Sequence, residues 1–163
     1  MKSLRVHGKG TDKYDNMRVG LNARLDTLQA GILIEKLAIF ADEIEARNRV
    51  AARYARAFEG HNELIAPIVV EGCVSSWAQY TVRLPAQKRD AVAAGLGKAG
   101  VPTVVYYPLP LHMQNAYKMH PRVGDIAVSE RLSKEVLSLP MHPYLDEATQ
   151  NHVIDAVLQA AGS

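Results

Sequence analysis

The chain has 163 residues, of which 48% are hydrophobic and 22% are charged, and its formal net charge is +2. This length suffices for one well-cored domain or for a domain with an appended arm. Positive residues are scattered and aromatic residues are few, which argues against a nucleic-acid partner. No apolar run approaches the roughly 20 residues that span a bilayer. Because the first residues contain no signal-peptide core, a cytoplasmic protein without a membrane partner is expected.

The first third of the chain predicts an arm followed by two helices. Residues 1–20 are polar and weakly periodic, which predicts an N-terminal arm that packs on another domain, and residues 21–163 are predicted to form the domain itself. A first helix is predicted from Asp26, which is placed to cap it, to about Leu37. A second helix is predicted over 41–58. Its acids precede its bases, an order that suits the helix dipole, and these charges are predicted to form a solvated face.

The rest of the chain predicts a mixture of strands and helices. Strands are predicted over 64–70, 77–84 and 101–107, with a helix that runs into a short strand over 126–140. Helices are predicted over 86–100 and 146–161, and a loop with one short helical turn over 107–125. This order predicts an α/β fold of the α+β small-domain kind. In it, a helical pair precedes a small sheet that is covered by helices.

Two patterns that often mark cofactor or metal sites have simpler explanations here. Gly95, Gly97 and Gly100 form a GxGxxG pattern, but they end a predicted helix and precede a strand, the reverse of the dinucleotide fingerprint. A helix C-cap and a turn explain them better. The six histidines do not have the spacing of metal ligands, so no metal site is predicted.

Asn22 and Arg24 precede the first predicted helix, in the stretch GLNARLDTLQAG. Free backbone N–H groups and the positive end of the dipole favour an anion at a helix start, and arginine adds a planar fork for phosphate or carboxylate. The alternative interpretation is that Asn22 caps a turn and Arg24 is a solvated surface cation. The spacing alone leaves both interpretations open.

Tyr106 and Tyr107 leave a predicted strand and enter a loop that contains Pro108 and Pro110, with His112 shortly after. Tyrosine hydroxyls at a strand exit are well placed to hold a polar ligand, and rigid prolines fix the loop. The alternative is a structural loop with packed rings. No Ser–His–Asp or Cys–His arrangement can be assigned, and no lysine lies in an apolar setting, so no catalytic residue is predicted.

The segments GLNARLDTLQAGILIEKL, RNRVAARYARAF, VPTVVYYPLPLHMQNAY and SLPMHPYLDEA resemble the C-terminal part of the DegT/DnrJ/EryC1/StrS sugar aminotransferases. The resemblance extends over nearly the whole chain and implies the small C-terminal domain of a fold-type I enzyme that depends on pyridoxal phosphate. It implies that Asn22 reaches across a homodimer to the cofactor phosphate in the partner's site, with Arg24 near cofactor and nucleotide-sugar. Tyr106, Tyr107 and His112 are implied to face the substrate. The family often has His where Tyr106 stands, which leaves hydrogen bonding for this side chain.

The resemblance also implies which catalytic parts lie outside this chain. The family's Schiff-base lysine, the acid that pairs with the cofactor's ring nitrogen and the aromatic that stacks on the ring all belong to the N-terminal domain. The expected function is therefore that of the C-terminal domain of an enzyme that moves an amino group from glutamate to a nucleotide-linked keto-sugar, in amino-sugar or surface-polysaccharide biosynthesis. The chain alone is expected to be inactive. The alternative is a non-catalytic small-ligand-binding or dimerisation module.

Exposed apolar surface that would pack on the missing domain is expected at Leu4, Val19, Leu25 and Leu28.

Overall fold

The structure is a computed structural model that describes residues 1–12 and 14–162. The chain divides into two compact units, Met1–Ala41 and Asp42–Ser163. The arm over 1–20 and the domain over 21–163 that the sequence suggests stay predictions. Among the described helices, none has both the length and the apolar character needed to cross a membrane.

The first unit begins with a segment that doubles back on itself through backbone pairing. Val6 forms an antiparallel bridge with Asn22, and a second bridge closes the turn between Lys9 and Asn16. Gly8 has a φ of +74°, and a Cβ added there would lie 1.8 Å from the carbonyl oxygen of Arg18. Only glycine allows this close approach of two backbone segments.

Helix α1 (Thr27–Ala38) follows in the first unit and confirms the first predicted helix. The Asp26 carboxylate accepts a hydrogen bond of 2.9 Å from the backbone N–H of Leu28, which makes Asp26 the N-cap. No residue of α1 is buried. Leu4, Val19, Leu25 and Leu28 are exposed as predicted, and the other large apolar side chains of this helix are exposed as well, namely Ile32, Leu33, Ile34 and Leu37.

Helix α2 (Phe40–Ala57) confirms the second predicted helix and buries one side against the second unit's core. Its aromatic Tyr54 is completely buried, and the Tyr54 hydroxyl donates to the carbonyl oxygen of Pro140 at 3.0 Å. The prediction that all its charges are solvated is wrong for Glu43, which is only 9% exposed. Its carboxylate accepts a hydrogen bond from the Tyr144 hydroxyl, which supplies the partner that a buried charge requires.

The sheet has two antiparallel strands, β1 (Tyr80–Arg83) and β2 (Val136–Leu139), in which Tyr80 pairs with Leu139. The strands predicted over 64–70 and 101–107 are wrong, because each contributes only one isolated bridge, Ile65 to Arg83 and Val104 to Ser138. An antiparallel ladder would next use the N–H groups two residues away. Those positions are Pro67 and Pro102, which have no N–H to donate.

Three further helices complete the unit: α3 (Ala86–Lys98), α4 (Ala127–Glu135) and α5 (Glu147–Ala161), of which α3 packs against β2 and against the other two. Asp146 caps α5, and hydrogen bonds from Thr149 lower the pKa of the Asp146 carboxyl. Together the helices and the small sheet confirm the predicted fold class. The fully buried side chains of the core include Tyr54, Tyr80, Leu64, Leu96, Leu137, Val82 and Val157.

Helix α3 ends as the glycine pattern predicted. Gly100 has a φ of +75°, and its N–H donates to the carbonyl of Gly97 at 3.1 Å. The N–H of Val101 reaches back to the carbonyl of Leu96 at 2.9 Å. These two bonds form a Schellman motif, which satisfies the last carbonyls of the helix and confirms the C-cap interpretation.

Candidate functional site

A cavity of about 560 Å³ lies in the second unit, between the loop after the Val104 bridge and helix α4. It is lined by Tyr106, Tyr107, Leu109, Pro110, Leu111, Gln114, Ser129, Leu132, Ser133 and Val136. Its volume is within the range of small-molecule sites, about 300–1,000 Å³. The structure therefore brings two of the residues predicted from the sequence, Tyr106 and Tyr107, to one concave surface.

The two tyrosines are positioned by the last sheet contact before them. Val104 exchanges backbone hydrogen bonds with Ser138 of β2, at 2.8 and 3.2 Å, and Val105 packs against the hydrophobic core. The chain then leaves the sheet, so that Tyr106 is 42% and Tyr107 72% exposed. Their rings meet edge to face with centroids 5.7 Å apart, and the peptide bond between them is cis. Both hydroxyls are thus carried at the cavity by a backbone that the sheet holds in place.

The loop after the tyrosines confirms the predicted short helical turn. Pro110 is buried, and its carbonyl accepts the N–H of Met113 at 2.9 Å to begin a 3-10 turn over Leu111–Met113. The prolines limit the backbone freedom of the loop, as the sequence suggests. This turn places the Gln114 side chain in the cavity wall.

His112 faces a different neighbour from the tyrosines. Its Nε2 lies 2.9 Å from Oε1 of Glu130 on α4, and Nη1 of Arg122 lies 3.6 Å from the same oxygen. His112 is not among the residues that line the cavity. Its contact therefore fastens the loop to α4, and its predicted role in binding substrate stays a prediction.

Helix α4 supplies the opposite wall, which the sequence analysis missed. Ser129, Leu132 and Ser133 of α4 line the cavity, together with Val136, the first residue of β2. Leu132 and Ser133 follow Ser129 by three and four residues, which places these three side chains on one helical face. The Ser133 hydroxyl donates to the carbonyl of Glu130 at 2.9 Å. The signal was present in the sequence, but nothing in it showed that this face would lie opposite the tyrosines.

The cavity lining combines neutral polar groups with apolar side chains. Hydroxyls come from two tyrosines and two serines, an amide comes from Gln114, and no charged side chain is among the lining residues described. Neutral hydroxyls and amides match the hydroxyls of a sugar, whereas a phosphate prefers arginine forks or helix N-termini. The lining, apolar with a few neutral polar groups, therefore suits an uncharged group better than a phosphate.

Asn22 and Arg24 belong to the first unit, where both are exposed. The bridge to Val6 fixes the backbone of Asn22, and the next N–H, of Ala23, donates to the carbonyl of Arg5 at 2.9 Å. Within the described part of the chain, no carboxylate forms an ion pair with Arg24. A side-chain amide on a fixed backbone and an unneutralised guanidinium can both bind the phosphate of an anionic ligand.

No lysine lines the cavity, and the described lysines are exposed or half-buried. Lys88, one of the half-buried ones, pairs with Glu63 at 2.6 Å. Lys13 lies outside the described residues. Among the residues that the structure describes, no cluster of His, Cys, Asp and Glu side chains could hold a metal ion.

Comparisons with known proteins place these features in a family. The sequence model of the DegT/DnrJ/EryC1/StrS aminotransferase family matches residues 1–158. A UDP-2-acetamido-2-deoxy-3-oxo-D-glucuronate aminotransferase from Pseudomonas aeruginosa is 42% identical over 91% of this chain and 40% of its own length. A dTDP-3-amino-3,4,6-trideoxy-alpha-D-glucose transaminase from Streptomyces venezuelae is 32% identical over 99% of this chain and 42% of its own length.

A solved structure gives the same result in three dimensions. A DegT DnrJ EryC1 StrS aminotransferase from Brucella abortus superposes with a TM-score of 0.91 and 46% sequence identity. The match covers 99% of this chain and 43% of that one. The chain thus spans about two-fifths of the length of the relatives that it matches.

Proposed function

This chain belongs to the DegT/DnrJ/EryC1/StrS aminotransferase family, and we propose that it forms the sugar-facing part of a nucleotide-sugar aminotransferase. The whole enzyme would move an amino group, from glutamate, to a nucleotide-linked keto-sugar. The observation that carries this proposal is the uncharged cavity that Tyr106 and Tyr107 share with α4, in which a few neutral polar side chains stand among apolar ones. Its chemistry suits the sugar of such a substrate better than its phosphates.

We infer that each named residue has a binding or positioning role. The Tyr106 and Tyr107 hydroxyls would hydrogen-bond the sugar, and His112 would keep their loop against Glu130. Asn22 and Arg24 would hold the cofactor phosphate in the site of a partner subunit, with Arg24 also near the nucleotide-sugar. Pyridoxal phosphate, when bound, supplies the electron sink that amino-group transfer requires. The Schiff-base lysine would come from the N-terminal domain, so this chain alone would not transaminate.

The sugar-binding role is tested with the chain itself and a stable nucleotide-sugar. We expect saturation-transfer NMR with UDP-N-acetylglucosamine to show the strongest transfer to the sugar protons. Tyr107→Phe should weaken binding about fivefold, the effect of losing one hydrogen bond. Tyr117→Phe is the matched control, because Tyr117 is half-exposed and outside the cavity. Equal saturation transfer in the unmodified chain, Tyr107→Phe and Tyr117→Phe would contradict a sugar-binding cavity. Transfer confined to the uracil protons would contradict it as well.

The cofactor role is tested by reductive trapping with pyridoxal phosphate and borohydride. We expect no lysine adduct above that of a denatured control, because the lysine of the family's catalytic motif is not among those of this chain. A stoichiometric adduct at one lysine would contradict the assignment of the cofactor-linking residue to another domain. The readout is the mass of the peptide, so it does not depend on activity.

A further inference from the structure

A second cavity, of about 420 Å³, lies between α2 and the beginning of α5. It shares no lining residue with the tyrosine cavity. Three of its lining residues are arginines of α2, namely Arg49, Arg53 and Arg56, and only one, Glu147 of α5, is acidic. The sequence analysis predicted a solvated face for these charges, but the structure places them around a concavity.

The spacing of the arginines places them on one face of α2. They are four and three residues apart, the separations at which side chains of a helix lie side by side. Like charges at this spacing repel one another, so the arrangement is unfavourable unless something of opposite charge neutralises it. The first question is therefore how much neutralisation the chain itself provides.

Of the three arginines, only Arg53 has close neutralising contacts within the chain. Nη1 of Arg53 lies 3.3 Å from Oε2 of Glu147, and its Nη2 donates to Oδ1 of Asn151 at 2.7 Å. Arg49 lies 4.0 Å from Glu45, at the limit of an ion pair, with both side chains largely exposed. Arg56 forms no ion pair with any residue that the structure describes. Three lining guanidiniums thus face one lining carboxylate.

The floor of the cavity is rigid. Gln150 is 2% exposed, and its Nε2 donates to the carbonyl of Val50 at 2.8 Å, which ties α5 to α2. The side chain of Arg53 is only 25% exposed and is held by its two polar contacts. A cationic group that is already held in position loses little freedom when it binds an anion.

We propose that this cavity, the α2–α5 arginine cavity, binds the diphosphate group of a small molecule. Guanidinium forks match phosphate oxygens in a bidentate geometry. Arg49, Arg53 and Arg56 lie along two successive turns of α2, and a diphosphate has more oxygens than one phosphate to engage this row of guanidiniums. The diphosphate would come either from inorganic pyrophosphate or from a nucleoside diphosphate. This proposal is independent of the function proposed for the tyrosine cavity.

The proposal is tested by calorimetric titration of the chain with inorganic pyrophosphate, with orthophosphate and UDP as comparison ligands. We expect one saturable pyrophosphate site and at least tenfold weaker orthophosphate binding. UDP binding tighter than pyrophosphate would identify a nucleoside diphosphate as the ligand, and equal binding would identify the diphosphate alone. Arg56→Gln should weaken pyrophosphate binding about tenfold without affecting folding, because its side chain is exposed.

Two further variants make the result specific. Glu147→Gln removes the one lining carboxylate and should tighten pyrophosphate binding severalfold, which a general loss of structure would not do. Lys98→Gln and Lys134→Gln carry the same change of charge at exposed positions outside the cavity and should bind as the unmodified chain does. Absence of saturable binding, or a loss of binding in Lys98→Gln but not in Arg56→Gln, would overturn the proposal.

Discussion

Nε2 of His112 lies 2.9 Å from Oε1 of Glu130, and this contact joins the loop after the two tyrosines to helix α4. Most of the cavity lining belongs to these same two segments. The pair therefore helps to hold the two walls in place. It gives His112 a positioning role that its place in the sequence did not reveal.

We predict that Glu130→Gln loosens this loop. Replacing the carboxylate by an amide weakens a charge-assisted hydrogen bond, at a cost of about 1 kcal/mol for a partly exposed pair. Hydrogen exchange of the backbone amides of Met113 and Gln114 should then be roughly fivefold faster. Glu63→Gln, which alters the surface pair with Lys88, is the control and should leave these amides unchanged. Unchanged exchange in Glu130→Gln would mean that the prolines alone hold the loop.

Two buried tyrosines should respond differently to loss of the hydroxyl. The Tyr54 hydroxyl donates to the carbonyl of Pro140, whereas the buried Tyr80 hydroxyl has no hydrogen-bond partner among the described residues. Tyr54→Phe should lower the free energy of unfolding by about 1 kcal/mol, and Tyr80→Phe should change it by less than about 0.5 kcal/mol. Urea denaturation of both variants measures the difference. An equal loss in both would indicate that the Tyr80 hydroxyl has a partner.

The same tyrosines should make the second unit sensitive to alkali. Burial raises the pKa of Tyr80 to about 12, and burial followed by the nearby Tyr80 raises the pKa of Tyr54 further. Between pH 10 and these values the unfolded chain loses protons that the folded chain keeps. The contribution of these tyrosines to the free energy of unfolding is therefore fully present below about pH 10 and falls as pH rises. For Tyr80 the loss is about 1.4 kcal/mol at about pH 11. Urea denaturation at about pH 9 and pH 11 should show that Tyr80→Phe loses less unfolding free energy between these two pH values than the unmodified chain does.

Two glycines at the end of α3, one inside the helix and one just after it, should give opposite results when changed to alanine. Gly100 has a φ of +75°, so Gly100→Ala should lower the free energy of unfolding by about 1 kcal/mol through backbone strain alone. Gly97 is inside the helix, with nothing within 4 Å of an added Cβ. Gly97→Ala should therefore stabilise the protein by about 0.5 kcal/mol. Thermal denaturation compares the two, and an unchanged stability in Gly100→Ala would contradict the Schellman assignment.

Helix α1 should cause the chain to self-associate. Leu28 is 80% and Ile32 65% exposed, and no residue of α1 is buried. Such a continuous apolar surface is expected to associate in water. Sedimentation of Leu28→Glu with Ile32→Glu should give a lower average mass than that of the unmodified chain. Val123→Glu, at an exposed position of the second unit, should have no effect.

Local signals in the sequence predicted the helices and their ends well. Asp26 and Asp146 cap helices because a short carboxylate reaches the free N–H groups of the next turn. Gly100 ends α3 because few other residues adopt its backbone conformation. Such features involve residues only a few positions apart, so the chain itself specifies them before any packing. The family-specific motifs around Asn22 and Tyr107 are local in the same sense.

Only the tertiary structure decided the pairings between distant segments. The apolar runs over 64–70 and 101–107 form only single bridges, because Pro67 and Pro102 have no N–H at the positions where a ladder would continue. Glu43 is buried because Tyr144, far along the chain, supplies its hydrogen bond. The face of α4 forms a wall of the tyrosine cavity only because folding brings it opposite the tyrosines. In the same way, the arginines of α2 line the α2–α5 arginine cavity only because α5 packs beside them. Sequence spacing orders side chains along one element, whereas a site requires knowing which elements meet.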